Sequence, residues 1–292
     1  MMTTAQPSAD AEAANRIAFQ GELGAFSHQA CAEVFPDMEP LPCATFEDAF
    51  QAVKTGAAKR AMIPVDNSLY GRVADVHTLL PEYGLYIIGE HFLRIRLQLM
   101  APQGATIAGL EAVHSHTVAL GQCRRFIKEH GLRTVVQADT AGSAHHVAGL
   151  GDVKHGAIAS ELAAETYGLD ILAPNIEDAE HNTTRFLILS RQKIEADPLD
   201  GPAITSFVFR VRNVPAALYK ALGGFATCGV NMVKLESYMV GGSFTATQFY
   251  AEIEGHPEDR LVALALEEAQ FFCSHLKILG VYQSHPFRRM ER

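Results

Sequence analysis

Short apolar runs and helical apolar stripes alternate along most of this chain. The runs Arg16-Ile17-Ala18-Phe19 and Ala61-Met62-Ile63-Pro64-Val65 predict buried strands. Between them a helical stretch follows Ser27 and stops before Pro36. Thr45 then reads as an N-cap with Asp48 three residues on. Phe46, Ala49, Phe50 and Val53 form one apolar helix face, closed by Gly56. A further helix carries Val73, Val76, Leu79 and Leu80. Residues 94–99 alternate at period two, which predicts a strand with one wet face. Residues 111–116, 134–138 and 155–159 predict more strands, the last two leading into Asp139 and Ser160 as helix N-caps. Continued to about Ile188, the alternation predicts an α/β architecture with a largely parallel sheet.

The pattern lapses over 190–204, where turn residues replace periodicity, and a linker is predicted there. Beyond it, residues 205–211 predict a strand and 215–228 a helix, with Pro215 near its first turn and Gly229 past its end. Residues 230–238 and 244–253 predict strands around a Gly241-Gly242 turn, followed by a helix over 258–274 and a strand over 276–282. The order βαββαβ predicts a small ferredoxin-like sandwich.

Composition narrows the class. At about 150 residues per domain, 292 residues suggest roughly two domains. Hydrophobic residues at 48% and charged residues at 20% suffice for a packed core and exclude a disordered or collagen-like chain. A formal charge of −9 argues against a nucleic-acid partner. Five cysteines without C-x-x-C spacing fit a reducing compartment. Residues 1–15 lack the basic and apolar regions of a secretory signal and read as a disordered tail. No apolar run approaches the ~20 residues that cross a bilayer, so no membrane partner is expected. A cytoplasmic protein is the expectation.

Polar clusters sit at the strand ends. After the first strand, Gly21, Gly24, Phe26 and Ser27 lead into a helix whose free N–H groups could face an anion, although such a pattern taken alone is more often just a turn. Pro64-Val65-Asp66-Asn67-Ser68 ends another strand, where an amide and a hydroxyl either orient a ligand or cap the next helix. In His181-Asn182-Thr183-Thr184-Arg185-Phe186, arginine offers a planar fork for a carboxylate beside a hydroxyl, although a solvated turn has the same composition. His114-Ser115-His116 and His145-His146 match no zinc spacing, and no G-x-S-x-G occurs.

Taken in order, residues 21–27, 64–68, 114–123, 139–144 and 184–186 resemble the signature of prephenate dehydratases. Residues 205–282 resemble the ACT regulatory domain that follows in that family. The resemblance implies a two-lobed catalytic domain like periplasmic binding proteins over 16–193. One lobe would span 16–93 with 171–193, and the other 94–170. A linker over 194–203, an ACT domain over 204–285 and a tail over 286–292 would complete the chain, with no chorismate mutase domain before residue 16.

It also implies a lyase that converts prephenate to phenylpyruvate, water and CO₂ with no cofactor and no metal. Thr184 would be the donor at the leaving hydroxyl and Arg185 would anchor or orient the substrate, with Asn67 and Ser68 completing the catalytic set. Gly24, Phe26, Ser27, Thr140 and Phe186 would line the cleft. L-Phenylalanine would bind near Asn213, Ala216, Ala217, Leu218, Asn231, Glu236, Ser237 and Tyr238 in a homodimer or homotetramer.

The chain departs from the family where Thr117-Val118 replaces Pro-Gln, Ala216-Ala217-Leu218 replaces Gly-Ala-Leu, and Glu236-Ser237-Tyr238-Met239 replaces Glu-Ser-Arg-Pro. Arogenate as substrate, or a non-catalytic amino-acid sensor, are the alternatives. A dianionic substrate and a charge of −9 together predict a cleft more positive than the surrounding surface.

Overall fold

The computed structural model describes residues 15–239 and 246–290. The Gly241-Gly242 turn, the start of the strand predicted over 244–253, residues 1–14 and residues 291–292 lie outside the described residues.

The first sheet contains β1 (Arg16–Gln20), β2 (Glu39–Cys43), β3 (Arg60–Asn67), the short β4 (Gly71–Arg72), β5 (Tyr86–Arg94) and β11 (Thr183–Ser190), in the order β2-β1-β3-β11-β5 with β4 on β3. Helix α1 (Phe26–Val34) follows β1, and α2 (Phe46–Thr55) follows β2. The capping box forms as predicted. Asp48 N donates to Thr45 Oγ1 at 3.1 Å, and Thr45 N donates to Asp48 Oδ2 at 3.2 Å. Ala49, Phe50 and Val53 are fully buried. Strand β2 was not predicted, because Pro40 and Pro42 break its propensity. It sits at the sheet edge, where a strand needs donors on one side only.

The second sheet runs β10-β6-β9-β7-β8. Strands β7 (Ala112–His116), β8 (Arg133–Gln137) and β9 (His155–Ala159) are parallel, and β6 (Gln98–Ala101) and β10 (Asp170–Ala173) are antiparallel additions. Helices α4 (Thr117–Gln122), α5 (Arg124–Glu129), α6 (Thr140–Leu150) and α7 (Glu161–Tyr167) complete this part, while α3 (Ala74–Glu82) lies between β4 and β5.

Two expectations are corrected here. The strand predicted over 94–99 is instead the end of β5, a passage between sheets and the start of β6. Its alternation reflects anchoring of that passage, where Ile95 N donates to Asn182 O and Leu97 N to Glu177 Oε2. Residues 171–173, assigned by the resemblance to the first lobe, pair with β6 in the second sheet.

The C-terminal module follows the predicted order. Strands β12 (Ala203–Val211), β13 (Met232–Met239), β14 (Ala246–Glu254) and β15 (Cys273–Gln283) form an antiparallel sheet ordered β13-β14-β12-β15. Helices α8 (Ala217–Thr227) and α9 (Arg260–Phe272) share a core with Phe207, Phe209, Phe225, Phe249 and Ala265. The short α10 (Phe287–Met290) ends the described chain.

Compactness divides the chain differently from the predicted domains, into residues 1–52, 56–73 and 92–186, and residues 53–55, 74–91 and 187–292. Within the second unit, α3 and most of β5 go with the C-terminal module. Tyr238 OH lies 3.2 Å from His77 Nδ1 on α3, and a Cβ on Gly280 would meet Ile87 O of β5.

Candidate active site

Strands β1 and β3 run parallel with Ile17 beside Arg60, so the Gly21 turn and Asp66-Asn67 leave the sheet at the same end. Two groups of predicted residues gather there. Period-two alternation places Asn182 and Thr184 of the β11 segment on one face and Thr183 and Arg185 on the other. The contacts obey this division.

Asn67 Nδ2 donates to Asn182 Oδ1 at 2.8 Å and to Thr184 Oγ1 at 3.0 Å. Asn67 Oδ1 accepts from Leu69 N at 2.9 Å and Tyr70 N at 3.0 Å. Those two main-chain donors fix which end of the amide is oxygen. Thr184 Oγ1 therefore accepts from Asn67, and its own hydrogen remains to be donated.

On the opposite face, Arg185 is only 6% exposed, 3.5 Å from Asp66 Oδ2, with its guanidinium 5.9 Å from the Phe92 ring centre. The ion pair with Asp66 makes Arg185 an orienting group for the end of β3. Ser68 is also committed to the main chain. Its Oγ donates to His181 O at 2.8 Å and accepts from Thr183 N at 3.0 Å, clamping the start of β11. Phe186 is 1% exposed and belongs to the core, away from the cleft surface.

The second group surrounds a cleft of about 620 Å³, lined by the Gly21 turn and the start of α1 on one side and Ala138, Asp139 and Thr140 on the other. That volume suits a small ligand. Helix α1 has Ala25 at its N-cap, with no side-chain cap bond among the described residues and no acidic residue in its first turn. Phe26 and Ser27 thus present main-chain donors and the positive end of a helix dipole. Across the cleft, Asp139 caps α6 by accepting from Gly142 N at 2.6 Å, and Thr140 opens that helix.

The side chains give no support to the predicted positive cleft. Among the described residues its lining contains Glu22 and Asp139 and no lysine or arginine. The positive contribution available there is the uncapped amino terminus of α1. The Cys43 thiol lines the same cleft, and burial followed by the Asp48 charge raises its pKa.

The Gly21–Gly24 turn is fastened to the second sheet's helices. Ser160 Oγ donates to Gly24 O, and Tyr167 OH donates to Leu23 O at 2.8 Å. Gly24 N donates to His28 Nδ1 at 2.9 Å, and burial lowers the His28 pKa, which keeps that nitrogen an acceptor. Gly24 has φ +84°, and a Cβ there would lie 2.7 Å from Ala163 Cα. Gly24→Ala is expected to lower stability by at least about 2 kcal/mol. Thermal unfolding checks this against Gly71→Ala, where φ is +76° but nothing lies within 4 Å, so the smaller loss reports strain without a clash.

The candidate histidines have other uses. His114 Nε2 is 2.7 Å from His155 Nδ1 and its ring lies 5.4 Å from that of His146. Burial and then the neighbouring histidines push the His114 pKa down to about 4. His145 stacks on Tyr167.

In the C-terminal module, Asn213, Ala216, Ala217 and Leu218 follow β12, and Tyr238 lies in the same cross-strand row as Gln248 and Arg210. Glu236 and Ser237 precede Tyr238 on β13. Asn231 is at the other end of the sheet, bonded to Glu254 Oε2, so the structure does not gather it with the rest. Ala216 has φ +60°, a left-handed conformation that favours glycine, the residue that the resemblance puts in place of Ala216.

Sequence reasoning missed two participants. Sequence reasoning assigns Asn182 no role, although its i, i+2 relation to Thr184 on a strand signals a shared face. Nothing local marks Asp66, because its partner, Arg185, lies 119 residues away.

Comparison with known proteins completes the description. The family profile described as prephenate dehydratase matches residues 17–194. The chain is 52% identical over 273 residues to the bifunctional N-acyl-homoserine lactone acylase/prephenate dehydratase of Komagataeibacter europaeus, covering 94% of this chain and 97% of that protein. The bifunctional chorismate mutase/prephenate dehydratase of Aquifex aeolicus (strain VF5) is 36% identical, over 91% of this chain and 73% of that protein. Among solved structures, GqqA, described as a novel type of quorum quenching acylase, matches with a TM-score of 0.88 at 52% identity, over 94% of this chain and 99% of that one. The prephenate dehydratase of Arthrobacter aurescens in complex with L-Phe matches with a TM-score of 0.83 at 29% identity, over 92% and 90% of the two chains.

Proposed function

The chain belongs to the prephenate dehydratase family, and from that premise we propose that it converts prephenate to phenylpyruvate, CO₂ and water. The observation that carries this reading is the Asn67–Thr184 contact, in which Thr184 Oγ1 accepts and its own hydrogen is left to be donated. In the reaction, the bond between the ring and its carboxylate breaks and CO₂ departs. The electron pair moves into the ring, which becomes aromatic, and the ring hydroxyl leaves with one added proton as water.

Aromatisation drives these steps, so the protein must hold two carboxylates and donate to the departing oxygen. Uncapped N–H groups at Phe26 and Ser27 suit one carboxylate, Thr140 at the facing helix assists, and Thr184 suits the leaving hydroxyl. Arg185 acts at one remove, by holding Asp66 and hence the strand end that carries Asn67. A threonine hydroxyl is a poor acid, so Thr184 serves as a hydrogen-bond donor while water or His181 supplies the proton.

The βαββαβ module is read as an ACT domain that binds phenylalanine and pairs with a second copy. Support comes from the topology and from the relative whose structure holds L-Phe. The strained Ala216 and the Tyr238 contact with His77 alter that effector region without removing it. The full chain is expected to release phenylpyruvate from prephenate and to slow when phenylalanine is added. Absorbance of phenylpyruvate in alkali measures both. No release from prephenate would defeat the assignment, and release insensitive to phenylalanine would leave a module that serves pairing alone. Running arogenate in parallel distinguishes the keto-acid from the amino-acid substrate.

A second reading is favoured by the 52% identical relative named as an N-acyl-homoserine lactone acylase. Amide hydrolysis there would place water on the acyl carbonyl and break the C–N bond. Release of free homoserine lactone and fatty acid from an N-acyl-homoserine lactone tests it directly.

A further inference from the structure

We propose that Asn182 is a positioning residue that keeps the Thr184 hydroxyl turned toward the substrate, acting through Asn67. This rests on the dehydratase reading and assigns a role to a residue that touches no substrate.

Asn182 is 1% exposed, and its main-chain oxygen accepts from Ile95 N at 2.9 Å, so its place is fixed. Its side-chain Oδ1 takes one hydrogen of Asn67 Nδ2. The other hydrogen of that nitrogen goes to Thr184 Oγ1. Leu69 N and Tyr70 N hold the oxygen end of Asn67, and the main-chain-fixed Asn182 holds one hydrogen of its nitrogen end, which leaves the other aimed at Thr184 Oγ1. Asn67 is fully used, and it is held square to the sheet end by two acceptors on one strand.

The arrangement has a cost that shows what it is for. Asn182 Nδ2 is buried and has no hydrogen-bond partner among the described residues. An unmatched buried donor lowers stability, because it gives up its bond to water and gains none in return. Turning the amide over would set its NH₂ against the NH₂ of Asn67, which is worse. An apolar residue would avoid the orphan donor but release one hydrogen of Asn67, which could then swing from Thr184. Aspartate would keep an acceptor there without the orphan, yet place a charge beside a site for a dianion. A neutral acceptor is what the geometry needs, and asparagine supplies it at the expense of one unsatisfied N–H. An orphan kept at this spot, one hydrogen bond from the candidate donor, points to orientation of that donor.

The test uses the full chain with prephenate, comparing wild type, Asn182→Ala, Asn182→Asp, Thr184→Ala and the Asn182→Ala/Thr184→Ala pair. Asn182→Ala is expected to lower kcat by about 10–100-fold with KM within twofold. In the double variant kcat should stay within twofold of Thr184→Ala, because the effect of Asn182 passes through that hydroxyl. Asn182→Asp, nearly the same shape, should be slow at pH 8 and recover relative to wild type as pH falls toward 5.5 and the carboxyl becomes neutral. A merely structural residue would lower the amount of folded protein without creating that pH limb.

Losses that multiply in the double variant overturn the proposal, as does an effect on KM alone. An Asn182→Asp variant that matches wild type from pH 5.5 to 8 overturns it too, even if Asn182→Ala does not fold. If wild type turns over prephenate while these results appear, only the positioning role fails. If wild type releases no phenylpyruvate, the dehydratase reading fails and this inference falls with it.

Discussion

Thr184→Ala is expected to lower prephenate turnover by about 10²–10³-fold while leaving KM within a few-fold of wild type. The size follows from what a preorganised donor contributes at a leaving oxygen whose charge grows only as the bond breaks. In the ground state the substrate hydroxyl is neutral and gains little from Thr184. In the transition state it carries developing negative charge, and a donor already in place gains most there. Asn67 supplies the preorganisation by donating to Thr184 Oγ1 at 3.0 Å. Thr184→Ser should recover most of the rate, since the hydroxyl returns and only a methyl group is lost. Steady-state kinetics on both variants decide the matter. Turnover in Thr184→Ala within threefold of wild type would remove the role, and a rise in KM at constant kcat would make Thr184 a binding group.

Arg185 illustrates how a neighbour in sequence can serve a different face. Thr184 and Arg185 are adjacent, and the family resemblance implies a role for each, but strand alternation sends them to opposite sides of the sheet. The half-buried pair with Asp66 then holds the end of β3 from behind, while Asn67, the next residue, bonds to Thr184 in front. Arg185→Ala should therefore impair turnover through the position of β3, with a loss of stability that Thr184→Ala lacks.

Much of the fold was legible because local chemistry and tertiary position agree. The capping pair Thr45 and Asp48, the caps at Asp139 and Ser160, and the βαββαβ order all form as their residue types require. The failures share a cause, which is that partners distant in sequence override local preference. Proline-rich β2 is a strand because β1 offers it a one-sided partner at an edge. Residues 94–99 alternate because they pass between two sheets, and no local pattern distinguishes a passage from a strand. In the site, Ser68 looked free to meet a substrate, but His181 O and Thr183 N take its hydroxyl from more than a hundred residues away. Helix ends were the exception among binding features. The uncapped start of α1 was visible in Ala25 and the absence of acidic residues after it.

Arg288→Met is expected to lower stability by about 3–5 kcal/mol at pH 8. Arg288 Nε donates to Glu90 Oε1 at 2.7 Å and its Nη2 donates to Glu90 Oε2 and Glu252 Oε2, each at 2.8 Å. The Glu90 and Glu252 side chains are 0% and 1% exposed, so one guanidinium is shared by two carboxylates held out of water. Tyr250 OH also donates to Glu252 at 2.6 Å, and His285 N to Glu90 at 3.1 Å. Those neutral donors soften the loss of the cation without replacing its charge.

Without Arg288 two buried carboxylates are left with no cation between them. Denaturant unfolding of the variant against wild type reads the deficit directly, and a loss below about 1 kcal/mol would show that the guanidinium contributes little to holding this group of side chains. Adding Glu252→Gln to Arg288→Met separates the terms further. It removes one buried charge while keeping an oxygen for Tyr250, so a charge-based loss should be partly restored and a packing loss should not.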